Sequence, residues 1–327
     1  MKLILFILAF TSVLAQAKES TGLISVAVAK SEAKPSKFSF AYSNYQYSLQ
    51  GESTSNTRIY KFGDSTVNLQ LFSSTWTYSP KWTFMLIAPY LKNKVETIYE
   101  PVPTGLNLKL TDYTEGFGDV RLMAMSQLWA KDTHVVLYDL GMTLPTGSTD
   151  SYFTSAPAQR AAYNMQLGSG TPDFVGGLTY AHNQDKWLSS ARGQVTLRGG
   201  KNSHGYAMGN ELLLKANSGW QFNPYFNLGI QGEYKHRGAI QGRDNKYELF
   251  NNYVSTDSSV RGDGHQYYHA AQISWTTSLL AKAQTPNWKT SSASVEAGLP
   301  VWQGVRNLDN IRLDTNYWLA ANLTTSF

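Results

Sequence analysis

An all-β fold, a transmembrane antiparallel β-barrel of about 12 strands, is what this 327-residue sequence predicts. Apolar and polar residues alternate with period two through segments of about ten or more residues, enough to carry a tilted strand across a bilayer. Long and short connections alternate between these segments. Beyond the first residues, no stretch is long and apolar enough for a spanning helix, which needs about 20 residues.

The chain begins with Met1-Lys2, an apolar run from Leu3 to Leu14, and Ala15-Gln16-Ala17. A basic start, a short apolar core and an Ala-x-Ala site predict a signal peptide over residues 1–17, cleaved near Ala17. Residues 18–37, with Pro35, are expected to form a periplasmic N-terminal tail, and the barrel to occupy 38–327.

The first strand groups Phe38, Phe40 and Tyr42 on one face, and the second, around Val67 to Tyr78, places Val67, Leu69 and Leu71 together. Ser79-Pro80-Lys81 turns into the third, where Trp82, Phe84, Leu86, Ala88 and Tyr90 alternate. After a long connection from Lys92 to Glu115, the fourth strand runs Gly118 to Trp129 and the fifth Thr133 to Leu144, around a Lys131-Asp132 turn. A long loop, Pro145 to Gly170, leads to the sixth (Pro172 to His182) and, past Asn183-Gln184-Asp185, the seventh (Lys186 to Arg198). The eighth carries Met208, Leu212, Leu214 and Ala216, and the ninth Phe226, Leu228, Ile230 and Tyr234. Gly238 to Gly264 is the longest loop. The tenth (Gln266 to Ala281), eleventh (Trp288 to Val301) and last (Asp314 to Phe327) complete the set.

Joins after the first, third, fifth and ninth strands are long, whereas even-to-odd joins are short. Outer-membrane barrels have this asymmetry, with short periplasmic turns and longer external loops. Trp82, Trp187, Trp220, Trp275 and Tyr317 lie near strand ends on the apolar face, where interfacial aromatic girdles sit. Mean hydropathy is negative, as lumen-facing polar residues make it in barrels. The absence of cysteine excludes disulfides, and a formal charge of +5 without a basic run argues against nucleic acid as a partner.

The terminal strand, alternating through Tyr317, Leu319, Ala321, Leu323 and Thr325 to Phe327, resembles the last strand of bacterial outer-membrane barrels. That resemblance implies a Gram-negative outer-membrane location, contact with membrane lipid, and Phe327 as the signal read by the barrel assembly machinery. Two further segments carry a family resemblance: Gly116-Phe117-Gly118-Asp119-Val120-Arg121-Leu122, and Leu144-Pro145-Thr146-Gly147 followed by Leu167-Gly168-Ser169-Gly170-Thr171-Pro172-Asp173-Phe174. In this order they resemble the outer-membrane barrel family of the meta-pathway of phenol degradation. The resemblance implies a transporter for small, hydrophobic or aromatic solutes and no catalytic residues. Physically, the glycines suit a bend or bulge, and Asp119 and Asp173 can accept backbone N–H groups at the loop-to-strand junction.

No enzyme signature stands out. Ser203-His204 and Asp263-Gly264-His265 lack the partners a hydrolase needs, six histidines without cysteine form no metal cluster, and no cofactor motif is present. Alternation turns Arg121, Asp139, Arg192, Arg198, Glu211, Lys215, Glu233, Lys235, Arg237 and Glu296 toward the lumen. They are expected either to brace the barrel as ion pairs or to line a selective pore. The expected pairing sets Arg192 opposite Glu211 and Glu211 opposite Glu233, with Lys235 diagonal. In a water-filled lumen each such pair contributes about 0–1 kcal/mol. Passive passage of small solutes is the function this reading supports. A structural or surface-interaction barrel with a plugged lumen is the alternative.

Overall fold

The computed structural model describes residues 38–55, 58–79, 81–101, 108–154, 157, 160–161, 165–223, 226–238, 240–242, 272–284, 291–299 and 312–326. The expected signal peptide and tail, Phe327 and most of the loop from Gly238 to Gly264 lie outside these residues. The strands are β1 (Phe38–Ser55), β2 (Arg58–Thr77), β3 (Trp82–Pro101), β4 (Leu108–Phe117), β5 (Val120–Lys131), β6 (His134–Leu144), β7 (Asp173–Gln184) and β8 (Trp187–Arg198). They continue with β9 (Tyr206–Ala207), β10 (Glu211–Asn223), β11 (Phe226–Arg237), β12 (Gln241–Gly242), β13 (Gln272–Gln284), β14 (Ser291–Gly298) and β15 (Arg312–Ser326).

Thirteen of these form one sheet, ordered β2-β1-β15-β14-β13-β11-β10-β8-β7-β6-β5-β3-β4, and pairing of β2 with β3 closes it. β4 and β5 lie end to end against β3, with Tyr90 opposite Phe117 and Ile87 opposite Arg121, so the barrel has twelve staves. Neighbouring staves are antiparallel, and β15 pairs with β1 to join the two ends of the barrel. Closure satisfies the backbone groups that an open edge would leave bare in lipid. β9 and β12 make a separate short ladder between two connections.

The short turns follow from their residues. Asp132 and Asp185 take φ of 50° and 51°, the left-handed region that a short polar side chain tolerates in a tight hairpin. Two connections read as long loops are instead hairpins that carry the barrel wall beyond the membrane. β1 and β2 stay paired to Ser55 and Arg58, and β3 and β4 to Tyr99 and Leu108. β-branched and aromatic residues such as Val95, Thr97, Ile98 and Tyr99 favour the ladder there, although the composition is too polar for a lipid-facing strand.

The outer surface shows the lipid band. Phe84, Leu86, Leu140, Phe174, Leu178, Leu197, Leu319 and Leu323 are exposed, a continuous apolar surface that only a membrane covers. On β3 this face runs from Trp82 to Tyr90 and then meets Lys92. Trp82, Trp187 and Tyr317 are exposed on it, and Trp187 packs edge-on against Trp220 at 5.0 Å. Such rings anchor strand ends at the interface. The side chain of Trp275 lies outside the described ones.

Candidate functional site

The inside of the barrel has two walls of opposite chemistry. One is charged and lies on β6, β8, β10 and β11. Arg192 on β8 reaches across β7 to Asp139 on β6, with Nη1 donating to Oδ1 at 2.6 Å and Nη2 to Oδ2 at 3.0 Å. Thr179 Oγ1 also accepts from Nη1 at 3.0 Å, and Gln194 Oε1 from Nη2 at 2.7 Å. Gly177 lies between the two partners. A Cβ there would stand 2.7 Å from both Asp139 oxygens and 3.0 Å from Arg192 Nη2, so the crossing requires a residue without a side chain.

A second cluster centres on Glu211. Its Oε1 accepts from Arg198 Nη2 at 2.8 Å and Arg237 Nε at 3.0 Å, and Lys235 Nζ lies 3.3 Å from Oε2. Arg198 also pairs with Asp173, whose other oxygen accepts from Thr171 Oγ1 at 2.8 Å. Elsewhere, Glu296 accepts from Asn322 at 3.1 Å, and Arg121 lies half-buried beside the Glu211 cluster. Lys215 is buried between Arg192 and Glu233 in register.

The expected pairing is thereby corrected. Arg192 stands opposite Lys215, and Glu211 stands between Thr196 and Arg237. Both ladders are displaced by four residues from the expected register. An even displacement leaves every side chain on its expected face but changes each partner. The ten-odd residues joining β8 to β10 contain β9, whose pairing with β12 takes up chain that a simple turn would not.

The other wall is apolar, and the sequence reading missed it. Tyr45, Tyr47 and Leu49 on β1, Val67, Leu69 and Leu71 on β2, and Ile87, Leu91 and Val95 on β3 are buried inside. Trp318 joins them from β15, its ring centroid 6.2 Å from Tyr45 and 6.3 Å from Tyr47. Val67, Leu69 and Leu71 thus face the lumen, while Phe72 and Trp76 occupy the outer face of β2. A signal for this exists in the sequence. On β1 the apolar residues change parity between Tyr42 and Tyr45, and on β2 between Leu71 and Phe72. Because β1 is paired without irregularity there, the parity switch marks where the strand leaves the membrane, not a bulge.

Between the walls lie the described residues of the Pro145 to Gly170 loop, 145–154, 157, 160–161 and 165–170, at the barrel mouth. Phe153, Ala161 and Met165 are fully or nearly fully buried. Thr114 Oγ1 donates to the Met165 carbonyl at 2.8 Å. Asp119, at the break between β4 and β5, accepts from the Gly147 N–H at 2.9 Å, the Ser169 N–H at 2.7 Å and the Ser169 hydroxyl at 2.8 Å. Gly147 and Gly168 cross back to back. A Cβ on Gly168 would lie 2.5 Å from both Asp119 Oδ1 and the Gly147 carbonyl oxygen. Burial pushes the Asp119 carboxyl up, against the lowering effect of these donors. Beneath this loop is a cavity of about 120 Å³, lined on one side by Leu69, Pro89, Leu91, Leu167 and Met208 and on the other by Thr196, Arg198, Glu211 and Arg237.

The family model described as MetA-pathway of phenol degradation matches residues 37–252, from the first strand through the inserted loop and the charged wall. This chain belongs to that family. Among solved structures, the COG4313 outer membrane channel from Pseudomonas putida F1 superposes with a TM-score of 0.58 at 14% identity, covering 90% of this chain and 97% of its own. The transport unit of the autotransporter AIDA-I from Escherichia coli (TM-score 0.44, 9% identity, 94% and 97% covered) and the TodX deltaS2S3 mutant monoaromatic hydrocarbon channel (0.41, 9%, 90% and 91%) match more loosely. No curated protein matches the sequence. The protein is thus a phenol-degradation family member with the fold of a Gram-negative outer-membrane β-barrel. The glycine-rich segments that carried the resemblance are one unit in space. Gly118-Asp119, Thr146-Gly147 and Gly168-Ser169 together seat the loop over the cavity.

Proposed function

We propose that this member of the phenol-degradation family is an outer-membrane channel for passive passage of small solutes, hydrophobic or aromatic compounds among them. The observation that carries the reading is the two-sided cavity beneath the inserted loop. An apolar wall removes a ring from water, and a polar wall fixes its orientation. The structure that superposes with a TM-score of 0.58 is itself an outer membrane channel. On this reading, leader removal near Ala17 delivers the chain, and Phe327 commends it to the assembly machinery. Purified protein in planar bilayers and swelling of liposomes with a panel of solutes test the proposal. Conductance and solute entry are expected.

One observation favours the second reading, a plugged barrel that acts through its surface. The inserted loop buries Phe153, Ala161 and Met165 within the mouth. A plugged barrel is electrically silent and excludes every solute in the panel.

A further inference from the structure

We propose that the cavity beneath the inserted loop binds the carboxylate of a small, single-ring organic acid, with its ring against the apolar wall. The proposal rests on the channel reading and adds the ligand class.

Size sets the body of the ligand. A dry, apolar cavity of about 150 Å³ accepts benzene. This cavity, of about 120 Å³, therefore suits one ring, and Leu69, Pro89, Leu91, Leu167 and Met208 supply the apolar contact.

The head group follows from what the polar wall leaves unused. Thr196, Glu211 and Arg237 form a row across β8, β10 and β11, each opposite the next in register. Thr196 is 3% exposed, and its hydroxyl has no hydrogen-bond partner among the described residues. Arg237 is 6% exposed and spends only Nε on Glu211. Its two terminal nitrogens, the fork that grips a carboxylate with two parallel bonds, make no hydrogen bond among the described residues. Arg198, by contrast, is fully engaged by Gly209, Asp173 and Glu211. A buried donor without a partner is costly, so a ligand that supplies acceptors gains by filling the site.

Benzoate and benzyl alcohol, equal in ring and differing in head group, test the assignment on the full-length protein in detergent and in liposomes. Isothermal titration is expected to show saturable benzoate binding, with benzyl alcohol weaker by more than about tenfold. Arg237→Gln is expected to weaken benzoate by more than about tenfold, and the isosteric Thr196→Val by several-fold. The heat-dependent gel shift of folded barrels confirms that both variants are assembled. Equal binding of the two probes, or full benzoate affinity in both folded variants, overturns the site. Entry of benzyl alcohol into liposomes without benzoate binding overturns the carboxylate assignment alone. Saturable benzoate binding in a channel that conducts nothing supports the site and removes the transport reading instead.

Discussion

Arg192 and Asp139 face each other from staves two apart, bridged over Gly177 by two parallel hydrogen bonds of 2.6 and 3.0 Å. Both side chains are almost completely buried, at 2% and 1% exposure. A pair in an open, water-filled lumen contributes about 0–1 kcal/mol. Here water is displaced, and losing one partner strands the other as an uncompensated charge.

Arg192→Ala is accordingly expected to destabilise the barrel by about 3–5 kcal/mol, well above the cost of a solvated pair. Urea unfolding in lipid vesicles measures it. The double variant Asp139→Asn, Arg192→Gln is expected to recover part of the loss because no bare charge remains. Gly177→Ala is expected to resemble Arg192→Ala, since its methyl group displaces the same carboxylate. A loss below about 1 kcal/mol for Arg192→Ala would show that water reaches the pair.

The lipid band makes a separate prediction. Leu178 on β7 is 53% exposed on the outer face, opposite Tyr138 on β6. Leu178→Arg is expected to cost about 2–4 kcal/mol near the bilayer midplane. The same substitution at Gln184, beside the β7–β8 turn, is expected to cost about 0–1 kcal/mol at the interface. Equal unfolding midpoints for the two variants would place Leu178 out of the membrane.

Much of the barrel was legible because period two is unambiguous where one face meets lipid. The alternation on β7 from Phe174 to Tyr180 marks a strand, and the Asp132 and Asp185 turns end their strands on schedule. Two things were not legible. Above the membrane the outer face becomes polar and the inner face apolar, so alternation continues with its meaning inverted, and it groups Val67, Leu69 and Leu71 without telling that they face the lumen. Register was the other. Alternation reports which face Glu211 occupies but not which residue stands beside it, and that information resides in how the β8–β10 connection folds. Lys235 lies 3.3 Å from Glu211 as its expected diagonal neighbour, whereas Arg192 pairs with Asp139 rather than Glu211. Thr196, neutral and without a motif, carries no sequence signal of its role.

The inserted loop makes the last prediction, through Asp119. Its carboxyl holds the loop by accepting from Gly147 and Ser169, and burial raises its pKa above that of a solvated aspartate. Asp173 reinforces the rise, and the N–H and hydroxyl donors oppose it. If the loop lifts, Asp119 is hydrated and its pKa returns to about 3.9. The seated loop thus has the higher pKa, and protonation favours it. This contribution to closure is full below about pH 3.9 and is lost as pH rises through the raised value. Acidification from neutral pH is therefore expected to lengthen closed times in single-channel recordings. Asp119→Asn cannot ionise and is expected to flatten that dependence. It also sets an amide donor against the Gly147 or Ser169 donors, so its open fraction at neutral pH is expected to rise. Gly168→Ala leaves the carboxyl in place but drives a methyl group into it, and is expected to raise the open fraction at every pH. An unaltered pH response in Asp119→Asn would assign the titration to another group, and an unaltered open fraction in Gly168→Ala would show that the loop does not gate the lumen.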